Sequence, residues 1–286
     1  MDTNKIWFIT GCSTGFGREL AKYLLENNCR VVVTARDAEK VQDLVEINRE
    51  NALALTLDVT DNQQVESAVA RATAHFGAID VLVNNAGFGY FGAIEESDEQ
   101  EVRRMFETNF WGLATMTRAV LPKMRERHSG FIVNISSIGG FVSFPSVGYY
   151  NATKYAVNGF SEALKKEVEP LGIHVLLVQP SGFRTDWAGR SANEATNTIP
   201  DYAPTAGANK QNIRGYSGNQ PGDPVRAAKA IVAAVEAHDP PFNLLLGRAA
   251  LKNARLKLED LKREFDAWAE TTENADFPEK ETATTN

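Results

Sequence analysis

Short runs of apolar, β-branched residues alternate along this chain with longer segments whose apolar residues recur every three or four positions. The longer segments are typical of amphipathic helices, and the short runs are typical of strands buried on both faces of a parallel sheet. The predicted strands are Ile6–Thr10, Val31–Ala35, Leu53–Leu57, Val81–Asn84, Phe131–Ile135, Val175–Gln179 and Phe242–Leu246. This order predicts the α/β class, with one doubly wound, seven-stranded parallel sheet and helices on both of its faces.

Side chains that can cap a first turn mark several helix starts. Thr60 with Gln63 and Ser97 with Gln100 have the spacing of a capping box, and Asp223 is followed by a first-turn proline. No linker splits the first 180 residues into separate domains. Residues 1–270 are therefore predicted to form a single domain.

The alternation fails between residues 185 and 224, where glycine and proline interrupt a polar stretch. A loop of this length is usually functional, so residues 187–222 are predicted to form a substrate loop or lid. Residues 248–268 then carry one apolar stripe and predict a C-terminal helix, which packs either on its own chain or on a partner subunit. The polar residues 271–286 are predicted to be a flexible tail.

Composition narrows the functional class. The chain has 286 residues, a formal net charge of −7 and a pI near 5.3, which argues against a nucleic-acid partner because such partners require a basic surface. No apolar run reaches membrane-spanning length, so no membrane partner is expected. Only two cysteines occur and no secretory leader precedes the first strand, which predicts a cytoplasmic protein. The four histidines are too scattered for a metal site, and none is expected.

A glycine-rich turn follows the first predicted strand and opens a helix. It extends from Thr10 to Gly17 with the sequence Thr-Gly-Cys-Ser-Thr-Gly-Phe-Gly. Glycines at such a turn let the backbone approach a pyrophosphate, and the helix N-terminus directs unpaired N–H groups at the anion. The turn is predicted to be the phosphate cradle of a Rossmann-type dinucleotide site.

A tyrosine and a lysine lie four residues apart at the start of a predicted helix. This spacing places Tyr150 and Lys154 on one helix face, where both can reach one substrate. A free phenol titrates near pH ~10, and a neighbouring ammonium is expected to lower that pKa toward neutrality. The residue four positions beyond Tyr149 is Thr153, which supplies no charge, so Tyr149 is assigned to packing.

The spacing of the three glycines resembles that of the short-chain dehydrogenase/reductase family. Several later elements resemble the same family: Asp58-Val59, Asn84-Asn85-Ala86-Gly87, Asn109, and Ser137 thirteen residues before Tyr150. The resemblance covers about residues 5 to 185. The segments at Cys12-Ser13, 34–37 and 85–89 are most similar to its 17β-hydroxysteroid-dehydrogenase-like and retinol-dehydrogenase-like branch.

The resemblance implies a catalytic tetrad of Asn109, Ser137, Tyr150 and Lys154. Tyr150 would be the acid/base, Ser137 would bind the substrate oxygen, Lys154 would hold the nicotinamide ribose, and Asn109 would bend its helix and hold a water near the lysine. Ser136 is assigned a structural role, and Asn84 would lie on the adenosine side. The implied cofactor-binding residues are Gly11, Ser13, Thr14, Gly15, Phe16, Gly17, Arg36, Asp58, Val59, Asn85, Ala86, Gly87, Tyr150, Lys154, Pro180, Gly182, Phe183 and Thr185. At Ser181 the family more usually has glycine.

The end of the second strand bears on the choice of cofactor. An acid there would bind a ribose 2′-hydroxyl, whereas a base would accept a 2′-phosphate. By the family resemblance, Ala35 occupies the position of the acid, and Arg36 can engage a phosphate. NADP(H) is therefore predicted. NAD(H) stays open because Asp37 falls in the window of a ribose-binding acid or can instead pair with Arg36.

The resulting hypothesis is an NADP(H)-dependent enzyme that interconverts a ketone or aldehyde and an alcohol. Aromatic residues near the site suggest a bulky, apolar carbonyl substrate. The candidate pocket residues are Phe88, Tyr90, Phe91, Phe141, Val142, Phe144, Phe183 and Trp187. An NADP(H)-binding sensor or scaffold without turnover is the alternative, which the presence of all four tetrad residues disfavours. The resemblance also implies a homodimer or homotetramer.

Overall fold

The apolar runs of the sequence form one seven-stranded parallel sheet in the computed structural model, which describes residues 1–189 and 191–277. The sheet order is β3-β2-β1-β4-β6-β7-β9, and all six strand pairs are parallel. Numbered along the chain, the strands are β1 (Ile6–Ile9), β2 (Arg30–Ala35), β3 (Ala52–Thr56), β4 (Val81–Asn84), β5 (Gly89–Phe91), β6 (Gly130–Ile135), β7 (Ile173–Pro180), β8 (Ala192–Glu194) and β9 (Asn243–Leu246). The predicted α/β fold is confirmed, with strand limits that differ from the prediction by one or two residues.

Helices cover both faces of the sheet and enclose one apolar core on each side. One core contains Leu20 and Leu24 together with Ile231, and the other contains Val65, Val120 and Leu164. The helices are α1 (Gly15–Glu26), α2 (Gln42–Val45), α3 (Asn62–Phe76), α4 (Glu99–Phe106), α5 (Leu113–Arg127), α6 (Gly148–Val168), α7 (Ala208–Gly215), α8 (Pro224–Val235), α9 (Arg248–Ala267) and α10 (Ala269–Glu273). None of the described helices is both long and apolar enough to cross a bilayer.

The capping residues of α3 and α4 differ from the prediction. The side chain of Asp61 accepts hydrogen bonds from the backbone of Gln63 and Gln64, and that of Asp98 accepts one from Glu101. Each cap falls one residue after the predicted Thr60 or Ser97, because a carboxylate is an equally good cap at the next position. Asp223 caps α8 as predicted.

The strand order reverses beside β1, which pairs with β2 on one side and with β4 on the other. The connections that leave β1 and β4 diverge to opposite faces and open a crevice at the carboxyl edge of the sheet. Doubly wound sheets bind their ligands at this position. The glycine-rich turn after β1 and the Asn85–Gly87 segment after β4 both lie there.

The predicted loop or lid at 187–222 contains secondary structure of its own. β8 pairs with β5 to form a separate two-stranded parallel sheet, and α7 follows two short helical turns, Pro200–Tyr202 and Ala203–Gly207. Both strands of the small sheet are three residues long, too short to leave a periodic signal in the sequence.

The buried residues of the C-terminal helix α9 lie in its first turns. Ala250 and Ala254 are its buried residues, and they pack against Ile138 and Leu245. The predicted tail begins within α10, and residues 278–286 lie outside the described part of the chain.

Candidate active site

The turn between β1 and α1 has the geometry of an anion cradle. Gly11 and Gly15 have φ angles of +71° and +64°, and a Cβ on Gly11 would lie 2.9 Å from the Cα of Ala86. These positions therefore need glycine. Thr14 is the N-cap of α1, but its side chain makes no capping hydrogen bond. The first-turn N–H groups of a twelve-residue helix are thus available to a phosphate.

Asn85 supports this turn from the adjacent strand. Its Nδ2 donates to the carbonyl oxygens of Thr10 and Gly11, at 2.9 Å each. A Cβ on Gly17 would collide with the Asn85 amide, and Gly17 does not line the cavity. Gly17 was predicted to bind cofactor, but in the structure it lets α1 approach Asn85 closely.

Asn84 was predicted to lie on the adenosine side. In the structure its side chain points into the interior instead. Its Nδ2 donates to the Thr117 hydroxyl at 3.0 Å and to Asn134 Oδ1 at 2.9 Å, beneath the carboxyl edge of the sheet. Adjacent residues on a strand face opposite sides, so only one residue of the Asn84-Asn85 pair can reach the crevice.

A single cavity of about 1800 Å³ joins the nucleotide cradle to the candidate catalytic residues. Ligand pockets usually measure about 300–1,000 Å³, so this volume can hold a dinucleotide together with a second molecule. Every predicted cofactor-binding residue except Gly17 lines it: Gly11, Ser13, Thr14, Gly15, Phe16, Arg36, Asp58, Val59, Asn85, Ala86, Gly87, Tyr150, Lys154, Pro180, Gly182, Phe183 and Thr185.

Two cations lie at the end of the cavity beside β2. Arg36 lines it as predicted, and Lys40, which the sequence analysis missed, lines it too. The Asp37 carboxylate accepts a hydrogen bond from the backbone N–H of Glu39 at 3.1 Å and caps the short helix Ala38–Val41. Asp37 thus has a structural partner, and the neutral Ala35 lines the cavity at the predicted position of the acid.

Tyr150 and Ser137 meet at the opposite end of the cavity. Ser137 follows β6, and its hydroxyl accepts the Gly139 backbone N–H at 2.9 Å, which orients it. Tyr150 lies in the first turn of α6 and is buried. Burial raises the pKa of the Tyr150 phenol to about 12, although its hydrogen bond with Ser137 opposes that change.

Lys154 lies one turn beyond Tyr150, as the spacing predicted. Its ammonium donates to the Ile135 carbonyl oxygen at 2.8 Å and lies 5.8 Å from the centre of the Tyr150 ring. Burial lowers the pKa of Lys154 to about 8. The expected lowering of the Tyr150 pKa by Lys154 is not seen here, because desolvation outweighs the other effects on the phenol.

Asn109 occupies a π-helical segment, Glu107–Gly112, between α4 and α5. Its Oδ1 accepts the Phe88 backbone N–H at 3.0 Å, and its Nδ2 donates to the Phe88 carbonyl oxygen at 2.9 Å and to the Thr153 hydroxyl at 3.3 Å. Asn109 does not line the cavity. It therefore ties the segment after β4 to α6.

Ser136 and Ser181 have structural contacts. The Ser136 hydroxyl donates to Asn158 Oδ1 at 2.6 Å, in agreement with its assigned structural role. The Ser181 hydroxyl donates to the Leu246 carbonyl oxygen at 3.3 Å. It faces Gly247, whose φ of +93° and missing Cβ leave the required space. The departure from the family's usual glycine is thus accommodated by a glycine on the adjacent segment.

Aromatic residues line the end of the cavity beside Tyr150, although only some of the predicted ones do. Phe88, Phe144, Phe183 and Trp187 line it, and the Trp187 ring centre lies 4.9 Å from that of Tyr150. The other four predicted residues do not line the cavity: Tyr90 and Phe91 are buried core residues, and Phe141 and Val142 pack near α9.

A further group of lining residues comes from α7, its C-cap and α9, and no sequence pattern predicted them. They are Asn209, Asn212, Ile213, Tyr216, Ala249 and Asn253. The segment around α7 has no apolar periodicity that marks a face, and the approach of α9 to the cavity depends on tertiary packing. No signal in the sequence could have identified them.

The sequence also matches known proteins. A family model described as short chain dehydrogenase matches residues 5–196. The chain is 38% identical to "Oxidoreductase BOA17" of Botryotinia fuckeliana over 267 residues, covering 93% of this chain and 97% of that protein. It is 39% identical to "3-ketodihydrosphingosine reductase" of Bacteroides thetaiotaomicron over 244 residues, covering 85% of this chain and 88% of that protein.

Solved structures match over the same region. A short-chain dehydrogenase from Streptomyces avermitilis superposes with a TM-score of 0.90 at 41% identity, covering 96% of this chain and 100% of that chain. A Burkholderia phymatum member in complex with NAD has a TM-score of 0.79 at 27% identity, with 91% and 95% coverage. A metagenomic member in complex with NADP has a TM-score of 0.67 at 25% identity, with 85% and 97% coverage. These similarities, together with the sheet order and the cavity, show that the chain belongs to the short-chain dehydrogenase family of oxidoreductases.

Proposed function

We propose that this protein is an NADP(H)-dependent reductase of bulky, apolar ketones or aldehydes, with Tyr150 as the proton donor. The observation that carries the proposal is the position of Tyr150. Its buried phenol shares a hydrogen bond with Ser137 and lies in the cavity that begins at the glycine cradle. A nicotinamide cofactor bound in that cavity would supply or accept a hydride.

The described residues fit a phosphorylated dinucleotide. Gly11 and Gly15 leave backbone room at the cradle, and the first turn of α1 offers free N–H groups for a pyrophosphate. Arg36 and Lys40 place positive charge where a 2′-phosphate would lie, and the neighbouring Ala35 carries no repelling acid. These charges favour NADP(H) over NAD(H).

The protonation state of the site favours reduction at neutral pH. Because burial raises the pKa of Tyr150 to about 12, the phenol holds its proton and can donate it to a carbonyl oxygen. Ser137 is positioned to hydrogen-bond the same oxygen, since the Gly139 N–H fixes the orientation of its hydroxyl. Lys154 supplies a cation one turn behind the phenol and stabilises the negative charge left after proton transfer.

The substrate end of the cavity favours a bulky, largely apolar molecule with some polar groups. Trp187, Phe144 and Ile213 offer apolar surface, whereas Asn209 and Asn212 offer amides that can pair with hydroxyl or carbonyl groups. One relative of this chain carries the name "3-ketodihydrosphingosine reductase", and a 3-keto substrate is consistent with this class. A cytoplasmic location and a homo-oligomeric assembly stay predictions from the sequence.

The test is NADPH consumption by purified protein with a panel of aryl, cyclic and long-chain ketones, run beside Tyr150→Phe. Loss of the general acid should lower kcat by roughly 10²–10⁴-fold. NADPH affinity should change little, because the variant keeps the ring and loses only the hydroxyl. Tyr149→Phe is the matched control, since Tyr149 packs beside the site and does not line the cavity.

The outcomes separate the competing functions. Turnover by wild type and Tyr149→Phe, but not by Tyr150→Phe, supports the proposal. Equal turnover by all three proteins would refute the role of Tyr150. Tight NADPH binding with no turnover across the panel would instead favour a sensor or scaffold protein.

A further inference from the structure

The distal part of α9 presents an apolar face that is mostly exposed. Leu258, Phe265 and Trp268 are 56%, 66% and 63% exposed, whereas Leu261 between them is partly buried. They continue a stripe that starts at Leu251 and advances in steps of three and four residues. This spacing is the a/d pattern by which one helix packs against another.

The charges along α9 and α10 are segregated. The first half contains only basic charged residues, whereas the second half is mostly acidic. The basic residues are Arg248, Lys252, Arg255 and Lys257, and the acidic ones are Glu259, Asp260, Glu264, Asp266, Glu270 and Glu273. Lys262 and Arg263 are the exceptions, and each pairs with an acid of the same helix, Asp266 and Asp260 respectively.

This order of charges is unfavourable within a single helix. The helix dipole favours acids near the N-terminus and bases near the C-terminus, yet the first turn of α9 contains no acid and its last turn no base. The same order becomes favourable when two copies of the helix lie antiparallel, because each basic half then faces an acidic half. Parallel copies would place like charges together.

We propose that α9 pairs antiparallel with α9 of a second copy of this chain, about a two-fold axis. The apolar stripe of each helix covers that of the other, and a self-complementary surface of this kind closes into a dimer. Leu251 is 43% exposed, although Ala254 beside it is buried. The exposed part of the apolar stripe therefore also includes the first half of the helix.

Other occupants fit this face less well. Helices that lie on membranes carry Lys and Arg around their apolar face, and most membrane surfaces are anionic. Here the two exposed aromatic residues, Phe265 and Trp268, lie in the acidic half. Residues 278–286 contain no large apolar side chain, so they offer no matching surface.

The first test measures particle mass by sedimentation equilibrium at micromolar concentration. Leu258→Glu/Phe265→Glu should halve the mass of the wild-type particle, because it places charges in the apolar contact. Leu256→Glu is the matched control, since Leu256 is 46% exposed but lies on the opposite side of the helix. It should leave the mass unchanged. An unchanged helix content by circular dichroism in both variants would show that they fold normally.

A charge exchange tests the antiparallel order. Lys252→Glu/Arg255→Glu/Lys257→Glu makes the first half of the helix acidic, and Glu264→Lys/Asp266→Lys/Glu270→Lys makes the second half basic. When each triple variant is measured by itself, it should lose the α9 contact, because like charges then face each other. An equimolar mixture should recover the wild-type mass, since every half again faces the opposite charge.

Two results would overturn the proposal. One is a mass that is the same for wild type, Leu258→Glu/Phe265→Glu and both triple variants. The other is flotation of the wild type with vesicles of phosphatidylcholine and phosphatidylglycerol, lost in Leu258→Glu/Phe265→Glu while the mass in solution stays the same. That second result would assign the face to a lipid surface.

Discussion

The surroundings of individual residues, and not their identity alone, determine their pKa values in the site. Tyr150 and Lys154 are buried together, and burial changes their pKa values in opposite directions, up for the phenol and down for the ammonium. Both shifts favour the neutral form of the group, because a low-dielectric environment penalises charge. The site therefore favours a protonated tyrosine.

We expect single residues to decide the choice of cofactor as well. Arg36→Ala should weaken NADPH binding by roughly ten- to a hundred-fold, since a charge-assisted hydrogen bond contributes about 1.5–3 kcal/mol. NADH binding should change by less than about threefold, because NADH has no 2′-phosphate for Arg36 to bind. Lys40→Ala should show the same preference to a smaller degree.

Fluorescence titration of each variant with both cofactors measures this difference. Arg49→Ala serves as the control, because Arg49 is exposed, pairs with Glu46 and does not line the cavity. An equal loss of NADPH and NADH affinity in Arg36→Ala would contradict the assignment of the 2′-phosphate site.

Among the secondary-structure elements, α7 and the small sheet form one wall of the cavity, and Trp187 lies on that wall. Arg214, at the end of α7, joins these parts. Its guanidinium donates to the carbonyl oxygens of Ala188 at 3.1 Å and Ala192 at 2.9 Å, and it lies 4.6 Å from the Phe91 ring. Gly89 on β5 leaves room for the Trp187 ring, which a Cβ would approach to 3.0 Å. Trp187 is thus held against Tyr150 by contacts from three elements.

Arg214→Ala should remove the hydrogen bonds that hold this wall in place and leave the nucleotide end of the cavity intact. We expect KM for a bulky ketone to rise by roughly ten- to a hundred-fold, since hydrogen bonds to a charged group contribute about 1.5–3 kcal/mol each. Arg214→Lys should restore only part of the loss, because lysine cannot form the same fork of hydrogen bonds. NADPH affinity should stay within about twofold of wild type.

Steady-state kinetics with one bulky and one small ketone separate positioning from general damage. Arg226→Ala is the control, since Arg226 is exposed on α8 and pairs only with Asp223 among the described contacts. A uniform fall in kcat for both ketones, with KM unchanged, would refute a positioning role for Arg214.

For the whole molecule, the buried Lys154 links protonation to the free energy of unfolding. The unfolded lysine titrates near pH ~10.4, whereas the folded one titrates at about 8. Between these values the unfolded chain binds more protons than the folded chain, so this group makes stability rise with pH. The folded protein carries the cost of the buried ammonium below pH 8.

We therefore expect the free energy of unfolding of wild type, relative to that of Lys154→Met, to increase by about 2–3 kcal/mol from pH 8 to pH 10. Urea denaturation at several pH values measures this difference. Lys166→Met is the control, because Lys166 is exposed on the same helix and should show no such rise. A difference between wild type and Lys154→Met that stays constant with pH would show that Lys154 does not titrate in this range.

The sequence alone determined those features of the molecule that depend on residues close together along the chain. Continuous apolar runs specify strands that must be covered on both faces, so the seven-stranded parallel sheet could be predicted. The glycine turn after β1 and the Tyr150–Lys154 spacing also depend on neighbouring residues. For this reason the cradle and the paired tyrosine and lysine were found before any tertiary contact was known.

Only the tertiary structure decided the features that depend on contacts between distant segments. Burial raises the pKa of Tyr150, whereas spacing alone predicted that Lys154 would lower it. Packing directs Asn109 to Phe88, turns Asn84 into the interior, and brings α7 and α9 to the cavity. The periodicity of α9 predicted an apolar stripe, but only the fold shows that the stripe is mostly exposed. The physical reason is that local sequence encodes backbone preference and amphipathicity, whereas desolvation and contact arise only when distant segments meet.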